Sequence, residues 1–240
     1  MGSFPFASRF ATLLRADSMF IPLKDINPSR SYPFVNISLI VANAALFFYE
    51  LSLQFSMNPK AYAALLTTYS TVPARLPAFF AGHGTFQTTF FPIVTSMFLH
   101  SGLLHLAGNM LFLWIFGDNV EDFFGHIPYL FFYFVCGIGA SLVHILFNLY
   151  SHVPALGASG AISGVMGAYI LLYPRARILT LVFVFLLPIP AVFVLGEWFL
   201  GQFLATMNVL GGGSSGGVAV MAHIGGFLLG MLITAIIRWR

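Results

Sequence analysis

Gly157-Ala158-Ser159-Gly160-Ala161-Ile162-Ser163-Gly164 opens an apolar run that extends to Pro174-Arg175. Near the C-terminus, Ala222-His223-Ile224-Gly225-Gly226 sits inside a second run of the same kind. A bilayer core offers no water to satisfy a serine or an imidazole, so each must find a protein partner. The glycines beside them let backbones approach closely enough to supply one. A hydroxyl nucleophile and a neutral base, each embedded in membrane sequence, point to hydrolysis inside a bilayer.

Composition supports the membrane setting. Of 240 residues, 59% are hydrophobic and only 7% charged, against roughly one quarter charged in soluble domains. The chain reads as one polytopic domain with little room for a separate soluble module. Its net charge of +3 comes from ten scattered basic residues, which excludes the single basic patch of a nucleic-acid binder. Cys136 is the single cysteine, so there is no intrachain disulfide. The first sustained apolar stretch begins near Val35, behind Arg9, Arg15, Lys24 and Arg30, and that order is not a signal peptide. Residues 1–34 are therefore expected to form a cytoplasmic N-terminal segment, and 35–240 a membrane domain.

Six apolar segments of spanning or near-spanning length follow, at about 35–54, 97–117, 127–150, 159–173, 178–206 and 218–237. They lack the alternation of a membrane barrel, which predicts an all-α membrane protein. With both termini cytoplasmic, Arg9, Arg15, Lys24, Arg30, Arg175, Arg177, Arg238 and Arg240 lie inside, and only Lys60 and Arg75 outside. This follows the positive-inside rule. The long outer stretch 55–96 carries Phe79, Phe80, Phe86, Phe90 and Phe91, as either an interfacial or an ordinary packed loop. The glycine- and serine-rich 211–217 reads equally as lid or passive linker.

Depth brings the polar positions into one layer. Ser159 is 15 residues before Pro174, and His223 is 15 residues before Arg238, each roughly 22 Å of helix. His105 is 13 residues before Asp118, roughly 20 Å, with Asn109 one turn deeper. Gly160, Gly164 and Gly167 form a smooth stripe beside Ser159, and Gly226 and Gly230 continue the face of His223. Small-residue helix packing alone would also explain that stripe.

Serine needs a neighbouring base to take its proton, and neutral histidine is suited to that task. Backbone N–H groups at the helix start by Ser159 point toward developing negative charge. His105 and Asn109, at i and i+4, complete an expected oxyanion hole. No acid is placed to complete a triad. Asp118, Glu121 and Asp122 belong at the opposite face, Asp17 and Asp25 in the N-terminal segment, and Glu50 in the distant first span. Only Glu197 remains plausible as the acid, but its register puts it roughly 13 Å below the outer end of its span, which favours a Ser159–His223 dyad with Glu197 as a packing or gate residue. Ser163 either supports the base or bonds its own helix. Gly157 and Gly160 are supporting positions, His100 stabilises the outer loop at the helix mouth, and His144 is a buried hydrogen-bonding group. HExxH is absent and no convincing ligand set exists, so neither metal nor organic cofactor is expected.

In this order, His105-Leu106-Ala107-Gly108-Asn109, Gly157-Ala158-Ser159-Gly160 and Ala222-His223-Ile224-Gly225-Gly226 resemble the rhomboid family of intramembrane serine proteases. The resemblance implies a six-helix rhomboid-like bundle, with Ser159 as nucleophile and His223 as general base. It also places His105, Asn109 and the Ser159 backbone N–H in the oxyanion hole. The outer loop would be membrane-associated, and the fifth span and glycine-rich loop would help control substrate entry. Two positions depart from many relatives. Phe90-Phe91-Pro92 stands where a Trp-Arg pair is common, and Ser163 stands where a tyrosine often stacks on the histidine. The expected function is endopeptidase cleavage in or near transmembrane segments of protein substrates, in a prokaryotic cell membrane. A non-catalytic rhomboid-like binding factor for membrane proteins is the alternative, and oligomeric state is left open. A solute transporter finds no support in repeats or paired intramembrane charges.

Overall fold

The computed structural model describes residues 20–56, 59–210 and 219–239. The expected lid or linker at 211–217, residues 1–19 of the N-terminal segment and Arg240 lie outside the described residues. The fold is mostly helical. Among the described residues, four helices are long and apolar enough to cross a membrane: α1 (Phe34–Phe55), α5 (Leu103–Phe124), α6 (His126–Phe147) and α9 (Val220–Arg238). Two further apolar helices, α7 (Ser159–Leu172) and α8 (Ala191–Leu210), complete the bundle.

α7 is the axis of the packing. Every residue from Gly160 to Tyr169 is buried, and α5, α6 and α9 pack around it. A helix sheathed by protein need not match the bilayer thickness, and fourteen residues rise only about 21 Å. One end of the bundle therefore stops short, and Ser159 stands there. Gly125, at φ +80°, reverses the chain between α5 and α6 in a conformation that only glycine adopts readily.

The end away from Ser159 is pinned by buried polar groups. The Glu121 carboxylate accepts from the backbone N–H groups of Val35 (3.0 Å) and Asn36 (2.7 Å), capping α1. Tyr169 Oη donates to Asp25 at 2.6 Å, and Asn119 Nδ2 donates to the same carboxylate at 3.1 Å. These partners explain why α5 runs on to Phe124 instead of ending near Gly117 as the hydropathy suggested. Its charged last turns are satisfied by tertiary contacts. The start of this helix is also later than expected. Ser96–Phe98 form a 3-10 turn, and the helix begins at Leu103 behind Gly102.

The expectation of an entirely helical chain needs correction. The segment 178–206 is not one span. It contains β2 (Arg177–Val182) and β3 (Phe185–Pro190), followed by α8, and β1 (Phe20–Asp25) completes a sheet of order β1-β2-β3. Apolarity concealed the hairpin, because its residues are as hydrophobic as those of a helix, while Pro188 and Pro190 cannot serve a helix interior. The backbone N–H of Ile26 donates to Arg177 O, so odd residues of β2 turn toward β1 and even ones toward β3. With Ile178 opposite Ile189 and Thr180 opposite Leu187, the backbones of Leu186, Pro188 and Pro190 face outward.

Among the described residues, the stretch 55–96, expected to face outward, folds into three short helices: α2 (Pro59–Tyr69), α3 (Arg75–Phe80) and α4 (Phe86–Thr95). Phe90 joins α3 to α4, its ring meeting Phe79 at 5.2 Å and stacking on Phe86 at 4.8 Å. Thr71 and Ala155 exchange backbone hydrogen bonds, and Gly157 N donates to Ser96 O at 2.8 Å. The segment is thereby tied to the loop that leads into Ser159.

Candidate active site

Ser159 is the first residue of α7, following Ala158, so the unpaired N–H groups of a helix start lie beside its hydroxyl. His223 lies one turn into α9. A β-carbon on Gly230 would stand 2.0 Å from Gly164 O, so only bare backbone permits this separation of α7 and α9. The approach sets the site, with His223 Nε2 2.8 Å from Ser159 Oγ. That is hydrogen-bond distance for a base meeting a nucleophile.

The other imidazole nitrogen has a partner that sequence reasoning missed. His223 Nδ1 lies 2.8 Å from Gln202 Oε1 on α8. Trp198, one turn earlier on that helix, places its ring 5.8 Å from the imidazole at 39°. The available signal was the pair itself, since an amide inside an apolar helix needs a polar partner.

A second group of side chains gathers at the turn before Ser159. Gly157 holds φ +126°, and a β-carbon there would collide with His105, 2.7 Å from Cε1 and 2.9 Å from Nε2. The Ser101 backbone N–H approaches His105 Nδ1 at 3.4 Å. An N–H can only donate, so Nδ1 accepts and Nε2 carries the hydrogen toward the Gly157 side. Asn109 is buried, with Nδ2 3.7 Å from the same β-carbon position. Two N–H donors, on one face of α5, therefore converge beside the helix start that carries Ser159.

His100 is fully buried, and its ring meets that of His105 edge-on at 5.2 Å. Its backbone N–H donates to the Glu50 carboxylate at 3.2 Å. Glu50 is therefore near the site's supporting wall, not remote from it as its place in the first span suggested. Arg75, lacking any sequence motif, donates to Ser70 O and Thr88 O at 3.4 and 3.3 Å and also to Thr67 O. It staples α2 to α4, in a loop without the Trp-Arg pair. Ser163 makes no supporting bond to the base. Its hydroxyl donates to Ser159 O at 2.7 Å, within its own helix. Glu197 lies on α8, five residues before Gln202 and on a different face of the helix.

Behind Ser159 is a small cavity of about 30 Å³ lined by Thr71, Ser96, Ser141, His144 and Gly160. Among the described residues, no three His, Cys, Asp or Glu side chains converge to hold a metal ion.

The family model described as Rhomboid domain matches residues 87–240, well over half of the chain. The chain belongs to the rhomboid family. This rhomboid is 33% identical over 154 residues to Rhomboid protein 1, mitochondrial, of Saccharomyces cerevisiae, covering 61% of the chain and 42% of that protein. It is 31% identical over 150 residues to RHOMBOID-like protein 12, mitochondrial, of Arabidopsis thaliana, covering 54% and 44%. Against the Rhomboid protease GluP of Bacillus subtilis it is 40% identical over 82 residues, covering 34% and 16%. The chain thus spans less than half the length of each of these relatives. Its matched region contains the Ser159, His223, His105 and Asn109 positions, and its apolar helices make it a multi-pass membrane protein.

Proposed function

We propose that this rhomboid is an intramembrane serine endopeptidase that cleaves protein substrates in or near their transmembrane segments. The observation that carries the reading is the 2.8 Å contact between His223 Nε2 and Ser159 Oγ in the bundle. The Bacillus subtilis relative, named a protease, supports the same reaction class. In this mechanism Ser159 Oγ attacks the scissile carbonyl carbon while its proton passes to His223 Nε2. Asn109, His105 and the α7 start stabilise the oxyanion. The proton moves to the leaving amine as the peptide C–N bond breaks, leaving an acyl-enzyme. Water then attacks the ester carbonyl as His223 takes its proton, and the acyl C–Oγ bond breaks with that proton returned to Ser159 Oγ. The cavity beside Ser159, at about 30 Å³, has room for about two waters, and this supports a hydrolytic second step.

The reading includes six membrane-crossing helices, α1, α5, α6, α7, α8 and α9, with both termini cytoplasmic. It treats 1–34 as an N-terminal segment and 35–240 as the membrane domain. The outer helices α2–α4, with Phe80, Phe86 and Phe91 exposed, rest in the interface. A substrate helix must unwind locally to expose its peptide bond, so helix-breaking residues near the cut favour cleavage. Of the three relatives described, two carry mitochondrial names and one is bacterial. The prokaryotic cell membrane expected from sequence therefore has the support of the bacterial relative alone.

The test is cleavage of a transmembrane substrate in proteoliposomes by wild type, Ser159→Ala and His223→Ala. Both variants are expected to lose cleavage, and a serine-directed phosphonate should label wild type but not Ser159→Ala. Equal cleavage by all three would sink the Ser159–His223 mechanism, and no cleavage by wild type above protein-free liposomes would return the chain to the class of non-catalytic binding factors.

A further inference from the structure

The proposed dyad leaves one question open: what holds the imidazole so that Nε2, not Nδ1–H, meets the nucleophile. An imidazole pivots about its Cβ–Cγ bond, and only one of its two neutral tautomers presents a lone pair at Nε2. Among the described residues, no carboxylate fills the role. What stands at Nδ1 is the Gln202 side-chain oxygen, 2.8 Å away.

We infer that Gln202 is a positioning residue for His223, fixing its tautomer and its ring angle from the neighbouring helix. This rests on the dyad reading above. An amide oxygen only accepts, so Nδ1 carries the hydrogen and Nε2 is free to take the Ser159 proton. Trp198 and Gln202 are four residues apart on α8 and so share a face. The indole, 5.8 Å from the imidazole, limits tilt while the amide limits rotation. An amide suits the setting. Burying an ionised carboxylate in low dielectric carries a large desolvation penalty, whereas a neutral acceptor orients the ring without it. The arrangement also makes the base depend on α8, because displacing that helix removes acceptor and ring wall together.

The experiment compares kcat, KM and the pH profile of kcat/KM for wild type, Gln202→Leu and Gln202→Glu, with Ser159→Ala in the same proteoliposome assay. Gln202→Leu should lower kcat about 10²-fold, the lower end of what a positioned base contributes, with KM near wild type. Gln202→Glu keeps an acceptor in place and should recover most of that loss. Its acid limb should move to higher pH, because a carboxylate beside the imidazole favours protonation. A wild-type kcat for Gln202→Leu would overturn the inference. So would a Gln202→Glu enzyme as slow as Gln202→Leu with an unmoved acid limb. If Gln202→Leu does not fold, the rate and acid limb of Gln202→Glu decide alone. Undiminished cleavage by Ser159→Ala would refute the dyad reading itself, which is a separate outcome.

Discussion

A β-carbon placed on Gly226 would stand 2.1 Å from the carbonyl oxygen of Gly160. Contacts under 3.0 Å are essentially never seen for real β-carbons, so α7 and α9 would have to separate. Gly226→Ala should therefore destabilise the fold by about 1–3 kcal/mol. Cleavage should fall more steeply, because an error of about 1 Å in catalytic geometry can cost about 10²-fold. Gly108→Ala, with open space around its β-carbon, should leave thermal stability unchanged or raise it slightly. Melting curves of the two variants, run beside the cleavage assay, check the contrast.

His105→Ala and Asn109→Ala should each reduce kcat by about 10²–10³-fold, the usual cost of one oxyanion donor. KM should change little if the donors act on the transition state. The double variant should be far less impaired than the product of the two losses, since residues that act as a unit are not additive. A KM rise at constant kcat would reassign both to substrate binding.

Ser163→Ala makes the opposite case. Its hydroxyl bonds Ser159 O, not the base, so its removal should leave kcat and its pH profile near wild type. A large loss of kcat in steady-state kinetics would show that the hydroxyl serves the reaction.

Burial raises the Asp25 carboxyl above the ordinary carboxylate range, opposed by the Tyr169 hydrogen bond. Raised in the fold, the group favours folding when protonated. Its contribution is present below the unfolded-state pKa and is lost as pH climbs through the raised folded value. Asp25→Asn keeps an acceptor for Tyr169 and removes the titration. Relative to wild type, the variant should gain stability between acid and neutral pH, and thermal unfolding at both ends measures this. A variant that loses stability relative to wild type between acid and neutral pH would contradict the sign.

Much of the site was legible because depth in a bilayer converts directly into residue count. Ser159, His223, His105 and Asn109 fall into one layer by spacing from the far-end markers, and the structure brings the first two to 2.8 Å. Gln202 escaped because one amide in an apolar helix has no period to reveal its partner. The hairpin escaped for a related reason: hydropathy reports burial or lipid, not backbone conformation. The clues were the 29-residue length of 178–206, more than the ~20 a span needs, and two prolines early within it. Glu50 was dismissed on sequence distance, yet its place toward the C-terminal end of α1 sets it beside His100.

The outward edge of β3 has a consequence for self-association. Of its outward-facing residues Leu186, Pro188 and Pro190, only Leu186 has an N–H to offer, since proline has none. Another strand laid along that edge would find its carbonyls largely unanswered, a heavy penalty for an apolar ribbon. Growth of the sheet by strand addition is thus blocked at the segment whose composition would otherwise invite amyloid-like stacking. The prolines that made 178–206 a poor helix also act as its safeguard against polymerisation.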